Sequence, residues 1–195
     1  LPEQIHVTAK VLGPSWINAD HVELFANGIK VREQRIETTT AVEKAQITWT
    51  LPRPAQDTHL VVIATGPGVT APCWAIPRPY QPTSKVFTSR VIGSTNPIWL
   101  DADSDGKFTA PRAFAAQLQA QAGNDPLKLL PLLARYDRAV AVQTASLFHA
   151  AKVDLKAEAI QAALKNAPAH VQSAFADFLS SVESGNTQEN PAKGK

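Results

Sequence analysis

The residues with the clearest chemical potential lie in one short run, Asp101-Ala102-Asp103-Ser104-Asp105-Gly106-Lys107-Phe108. Three carboxylates at alternate positions before a glycine form the front half of a calcium loop, where hard oxygen donors converge on one ion and the glycine makes the sharp turn. On that pattern Asp101, Asp103 and Asp105 offer side-chain oxygens, Lys107 offers its carbonyl, and Phe108 is the apolar anchor. The twelfth position, where a bidentate carboxylate belongs, is Arg112. Binding is therefore expected to be weak unless another acid reaches in, and structural, because a wrapped calcium has no open position and activates water poorly beside zinc. The competing expectation is a solvated acidic turn whose aspartates bond their own backbone.

Other chemistry is harder to place. His6, His21, His59, His149 and His170 never fall at the short spacings that put two imidazoles on one metal. His6 and His59 fall on or beside strands and are expected on a polar face or edge. There is no Gly-x-Ser-x-Gly elbow and no phosphate-cradling glycine loop. No catalytic residue is assigned, and the chain by itself is not expected to be an enzyme. Cys73 lies between Pro72 and Trp74 with no adjacent cation to activate it, so it is expected to be inert. Trp16, Trp49, Trp74 and Trp99 suit either a carbohydrate-stacking platform or core packing, and core packing is the commoner fate for Trp49 and Trp99 in strands. Trp74 and Tyr80, among prolines, are the candidate exposed ligand surface.

The elements that must position these groups change type near residue 110. Gln4 to Val11 alternates apolar and polar residues and predicts a half-buried strand. His21 to Ala26 and Ile29 to Arg35 flank Asn27-Gly28, the dipeptide that best tolerates the positive φ angles of a type I′ hairpin. Ala45 to Leu51 alternates again and stops at Pro52. Leu60 to Ala64 is continuously apolar, which predicts a central strand buried on both faces, ended by Gly66-Pro67-Gly68. Pro67, Pro72, Pro77, Pro79 and Pro82 then favour an extended surface connection. Val86 to Ile92 and Pro97 to Leu100 complete about seven strands, which predicts an immunoglobulin-like antiparallel β-sandwich over 1–110, with a closed barrel as the alternative.

From Pro111 onward the apolar spacing is helical, as in Phe114 with Leu118 and Leu127 with Leu130 and Leu133. Asp125 before Pro126 reads as an N-cap with proline at N1, and Asp154 is placed to cap a helix carrying Ile160 and Leu164. Pro168 opens a last helix with Val171, Phe175, Phe178 and Val182 on its apolar face, and Gly185 is its expected stop. The fold class is thus α+β, with a helical region over 111–184 packed on or beside the sandwich and a disordered tail over 185–195. The helical stripes serve either as core or, less commonly, as a peptide groove.

With 195 residues, 44% hydrophobic and 18% charged, the chain can bury a core without staples. A net charge of +2, with both signs mixed, argues against nucleic acid as partner. No apolar run is long enough to span a bilayer, and the N-terminus lacks a signal-peptide pattern. A start at Leu1-Pro2-Glu3 suggests a processed product or a piece of a longer protein. The compartment is left open, an extracytoplasmic one being the preferred expectation.

Thr58-His59-Leu60-Val61-Val62-Ile63-Ala64-Thr65-Gly66-Pro67, then Pro72-Cys73-Trp74, then Thr95-Asn96-Pro97-Ile98-Trp99-Leu100-Asp101-Ala102-Asp103-Ser104-Asp105-Gly106, resembles the C-terminal region of PHP-type (polymerase and histidinol phosphatase) metal-dependent hydrolases of the CehA/McbA kind. Asp20 to Gly28 is similar to that region's strand-and-hairpin pattern. The resemblance covers roughly residues 1 to 115 and departs at Ser104, where glycine is usual. It implies a β domain that follows a catalytic domain, and it transfers no catalytic residue, because the family's metal-binding motifs have no counterpart here. The implied role is a non-catalytic accessory domain of a larger PHP-like hydrolase, partnered by a missing N-terminal catalytic domain. The alternative is an independent carbohydrate- or protein-binding module.

Overall fold

The computed structural model describes residues 1–69 and 90–188. Cys73, Trp74, Tyr80 and residues 86–89 of the expected sixth strand lie outside the described residues. The chain divides into two compact units, one of residues 1–53 and 58–102, the other of residues 54–57 and 103–195.

The first unit holds seven strands among the described residues: β1 (Gln4–Leu12), β2 (His21–Ala26), β3 (Ile29–Arg35), β4 (Glu43–Pro52), β5 (Thr58–Pro67), β6 (Arg90–Ser94) and β7 (Ile98–Leu100). β1 and β4 form a two-stranded antiparallel sheet, and the second sheet runs β3-β2-β5-β6 with β7 also paired to β5. Val7, Ala9, Ile47, Trp49 and Leu51 from the first sheet and Val22, Leu24 and Leu60 from the second build one buried cluster. Two antiparallel sheets sharing such a cluster is the arrangement expected of a β-sandwich.

Asn27 and Gly28 join β2 to β3 at φ values of 49° and 80°, both in the left-handed region that a type I′ turn requires. The Asn27 amide donates to the His59 carbonyl at 3.0 Å. Its side-chain Oδ1 accepts from the His59 amide, also at 3.0 Å, so the turn is bonded to β5. Gly66 is required by a close approach: a Cβ there would lie 1.9 Å from the Asn18 carbonyl oxygen. β5 is less enclosed than its apolar run predicts. Leu60 is buried, but Val61 to Ala64 are only half-buried, because Val61 and Ile63 face away from the shared cluster.

The second unit is helical: α1 (Pro111–Gln121), α2 (Pro126–Leu129) continuing into a 3₁₀ turn (Leu130–Arg135), α3 (Arg138–Ala150), α4 (Glu158–Lys165) and α5 (Ala169–Gln188). Its core gathers Phe114, Leu118, Leu129, Leu133, Val140, Phe148, Leu164, Val171 and Phe175. Asp125 caps α2 by accepting from the Leu127 amide, and Asp137 caps α3 by accepting from Val140. Three expectations fail locally. Asp154 does not cap α4; its carboxylate accepts from the Lys156 amide two residues on, a turn of its own that completes before the helix begins at Glu158. Leu127 is exposed, since the first turn of α2 directs it to solvent. The last helix passes through Gly185 to Gln188, because one glycine costs only about 1 kcal/mol in a helix and residues 186–188 include no proline.

Candidate functional site

Alternation along β2 and β3 fixes the first side-chain constellation. The hairpin register sets Glu23 opposite Glu33 and His21 opposite Arg35. His21 and Glu23, two apart on one strand, share a face. His21 Nε2 lies 3.6 Å from both Glu23 Oε1 and Glu33 Oε2. Two carboxylates directly opposite would repel. Lys30 relieves this, its ammonium reaching Glu23 at 3.0 Å and Glu33 at 2.5 Å. These bonds hold the Glu33 carboxyl below its ordinary range and raise Lys30. The three His and Glu donor atoms lie within 4.8 Å of one another. With a lysine in their midst they form an ion-pair network. The Asn27-Gly28 turn by itself would set Glu23 opposite Arg32; a bulge between Leu24 and Phe25 shifts the pairing by one residue, so neither the turn nor spacing along the chain announces the grouping.

The acidic loop spans the boundary between units, which falls between Ala102 and Asp103. Asp101 belongs with the strands and is half-buried. Within the helical unit the loop winds through residues whose side chains bond the backbone two residues on. Asp103 Oδ1 accepts from the Asp105 amide at 3.3 Å, and Asp105 Oδ1 accepts from the Lys107 amide at 2.8 Å. Ser104 at φ 64° and Gly106 at φ 75° make the reversals. Phe108 is 55% exposed and does not anchor the loop in a core; the nearby backbone is tied by polar contacts instead.

An acid from elsewhere in the chain lies beside the loop. Asp57, 4% exposed, belongs to the same unit. It offers a carboxylate oxygen within 4.8 Å of one on Asp103. Its Oδ2 accepts from the Thr109 amide at 2.7 Å. The neighbouring Gln56, also 4% exposed, accepts from the Asp137 amide at 2.9 Å, so the short segment 54–57 is bonded into the helical unit at two points. Desolvation raises the Asp103 carboxyl above its ordinary value; the Asp105 amide opposes this, while the charges of Asp105 and Asp57 add to it. An anion raised by neighbouring anions gains when a cation enters.

No family model, curated protein or solved structure matches this chain. The remaining candidates are aromatic. Trp49 is buried in the shared cluster. Trp99, expected in a core, is 56% exposed, because β7 is a three-residue strand paired along β5 and its ring packs against His59, with centroids 5.3 Å apart. Trp16 is exposed as well. His6 bonds Thr50 across β1 and β4 at 3.1 Å on an exposed face. No helix among the described residues is long and apolar enough to cross a membrane.

Proposed function

We propose that this chain is a non-catalytic accessory module of a larger PHP-like metallohydrolase, its β unit an immunoglobulin-like sandwich that contacts the catalytic part of the same protein. The observation that carries the reading is an apolar row left open beside β5. Ile92 is 72% exposed on β6 and Trp99 is 56% exposed on β7. Ile92 pairs with Thr65 and Trp99 with His59, which sets both on the face that Val61 and Ile63 share. A row of large apolar side chains in water is what an interaction surface presents. The full reading frame would be expressed with and without Trp99→Ser and Ile92→Ser. Separation of the catalytic part from this module after limited proteolysis, in the variants only, is the expected result. A reading frame with no histidine-rich metal-binding domain upstream would overturn the proposal.

The acidic loop, on this reading, takes a structural calcium within the helical unit, with Asp103, Asp105 and the Lys107 carbonyl from the loop and Asp57 in place of the absent twelfth-position acid. Asp57 supports it, being a buried carboxylate beside Asp103. Calcium added at millimolar concentration should raise Tm through binding to the folded state alone. Loss of that rise in Asp103→Ala is expected; an unchanged Tm in the parent chain would remove the site.

A further inference from the structure

The alternation of β4 breaks at Lys44. Ile47, Trp49 and Leu51 point into the core while Gln46, Thr48 and Thr50 face out. A strict period of two would put Lys44 outside with them. Yet Lys44 is 6% exposed. The register explains it: Val11 pairs with Ala45 and Leu12 with Glu43, so Lys44 is the extra residue of a β-bulge. Bulges re-aim side chains, and this one turns a lysine inward. Its Nζ donates to the Thr39 carbonyl at 2.8 Å. An ammonium has three donors, and no carboxylate pairs with this one among the described residues. An anion reaching it would supply a charged acceptor for its remaining donors.

Two recesses meet at this side chain, both within the β unit. One, of about 550 Å³, is lined mainly by polar groups including Arg35, Thr38, Thr39 and Gln46, with Glu37 also on its wall. The other, of about 380 Å³, is lined by Val11, Leu12, Ile17, Ala19 and Val91 besides Lys44. Both volumes fall within the roughly 300–1,000 Å³ of small-molecule sites. Leu12, 61% exposed, extends the apolar wall into solvent.

We infer that Lys44 is the charge-recognising group of a small-molecule site for an amphiphilic monocarboxylate, whose head group meets the ammonium and whose apolar tail occupies the recess of Val11, Ile17 and Val91. The inference does not rest on the accessory role proposed above, although Ile92 of that surface also borders this recess.

Octanoate, 1-octanol and octylammonium would be titrated into the 195-residue chain, with binding read from amide chemical shifts and Tm. Octanoate should bind at least tenfold more tightly than the other two, and shift the amides of Ile17, Thr39 and Lys44. Lys44→Met keeps the stem and removes the charge; octanoate affinity should fall about tenfold while octanol binding is kept. Leu12→Asp, at an exposed position, should weaken octanoate more than octanol, since repulsion of the carboxylate adds to the lost apolar wall, and it decides the matter should Lys44→Met not fold. Equal binding of octanoate and octanol, or octanoate affinity unchanged in Leu12→Asp, overturns the site.

Discussion

The carboxylate of Asp57 accepts the backbone amide of Thr109 at 2.7 Å, across 52 residues of chain. This bond ties the segment between β4 and β5 to the start of the helical unit, and it sets a buried acid beside Asp103 of the loop. Stability passes through Asp57, and so does ion binding on the calcium reading proposed above.

Asp57→Ala should destabilise the protein by about 2 kcal/mol in chemical denaturation, the usual cost of leaving a buried donor unpaired. Asp57→Asn keeps an acceptor for Thr109 and removes the charge. It should retain most of the stability and lose the calcium-dependent rise in Tm. Were the Asp57→Asn variant to respond to calcium as the parent does, Asp57 would have no part in the site.

A pH series separates the charge on Asp103 from its geometry. Its folded-state carboxyl is raised above about 3.8, so the folded state holds the proton to higher pH than the unfolded one. Stability from this group is present at low pH and is lost as pH rises through the unfolded and then the folded value. Without calcium, Asp103→Asn should gain on the parent as pH increases over that window and then keep a constant lead. A difference between the two curves that does not vary with pH would contradict this.

At Gly66 the expected effect is steric. A methyl group cannot coexist with the Asn18 carbonyl oxygen, which is backbone and cannot rotate away. Gly66→Ala should cost on the order of 3 kcal/mol, whereas Gly93→Ala, where a Cβ meets nothing within 4 Å, should stay within about 0.5 kcal/mol. Urea midpoints of the two variants compare them directly.

Lys30 separates two facing glutamates, and all three side chains lie at the surface. Lys30→Met should lower Tm in low salt, and the loss should shrink as salt screens the Glu23 and Glu33 charges. Acid should shrink it too. The lowered Glu33 carboxyl contributes stability above its unfolded value of about 4.5 and loses it as pH falls through the folded one. A deficit insensitive to both would mean that Lys30 acts through packing.

The sequence by itself determined what short-range geometry dictates. Alternation in β1 and β4, the turn at Asn27-Gly28 and the capped proline of α2 depend on residues a few positions apart, and each is visible as spacing. The hairpin register does not follow from its turn alone: a bulge between Leu24 and Phe25 shifts the pairing by one residue, and that shift is what sets Glu23 opposite Glu33. Only the tertiary structure decided the rest. Asp57 reaches the acidic loop because segment 54–57 joins the helical unit, and nothing local to Gln56-Asp57 announces that. Trp99 stays exposed because its short strand runs along β5 and its ring lies on His59 at the surface. Lys44 is buried because one extra residue in β4 reverses the side on which it falls, an outcome set by pairing with β1 and opposed to its own pattern.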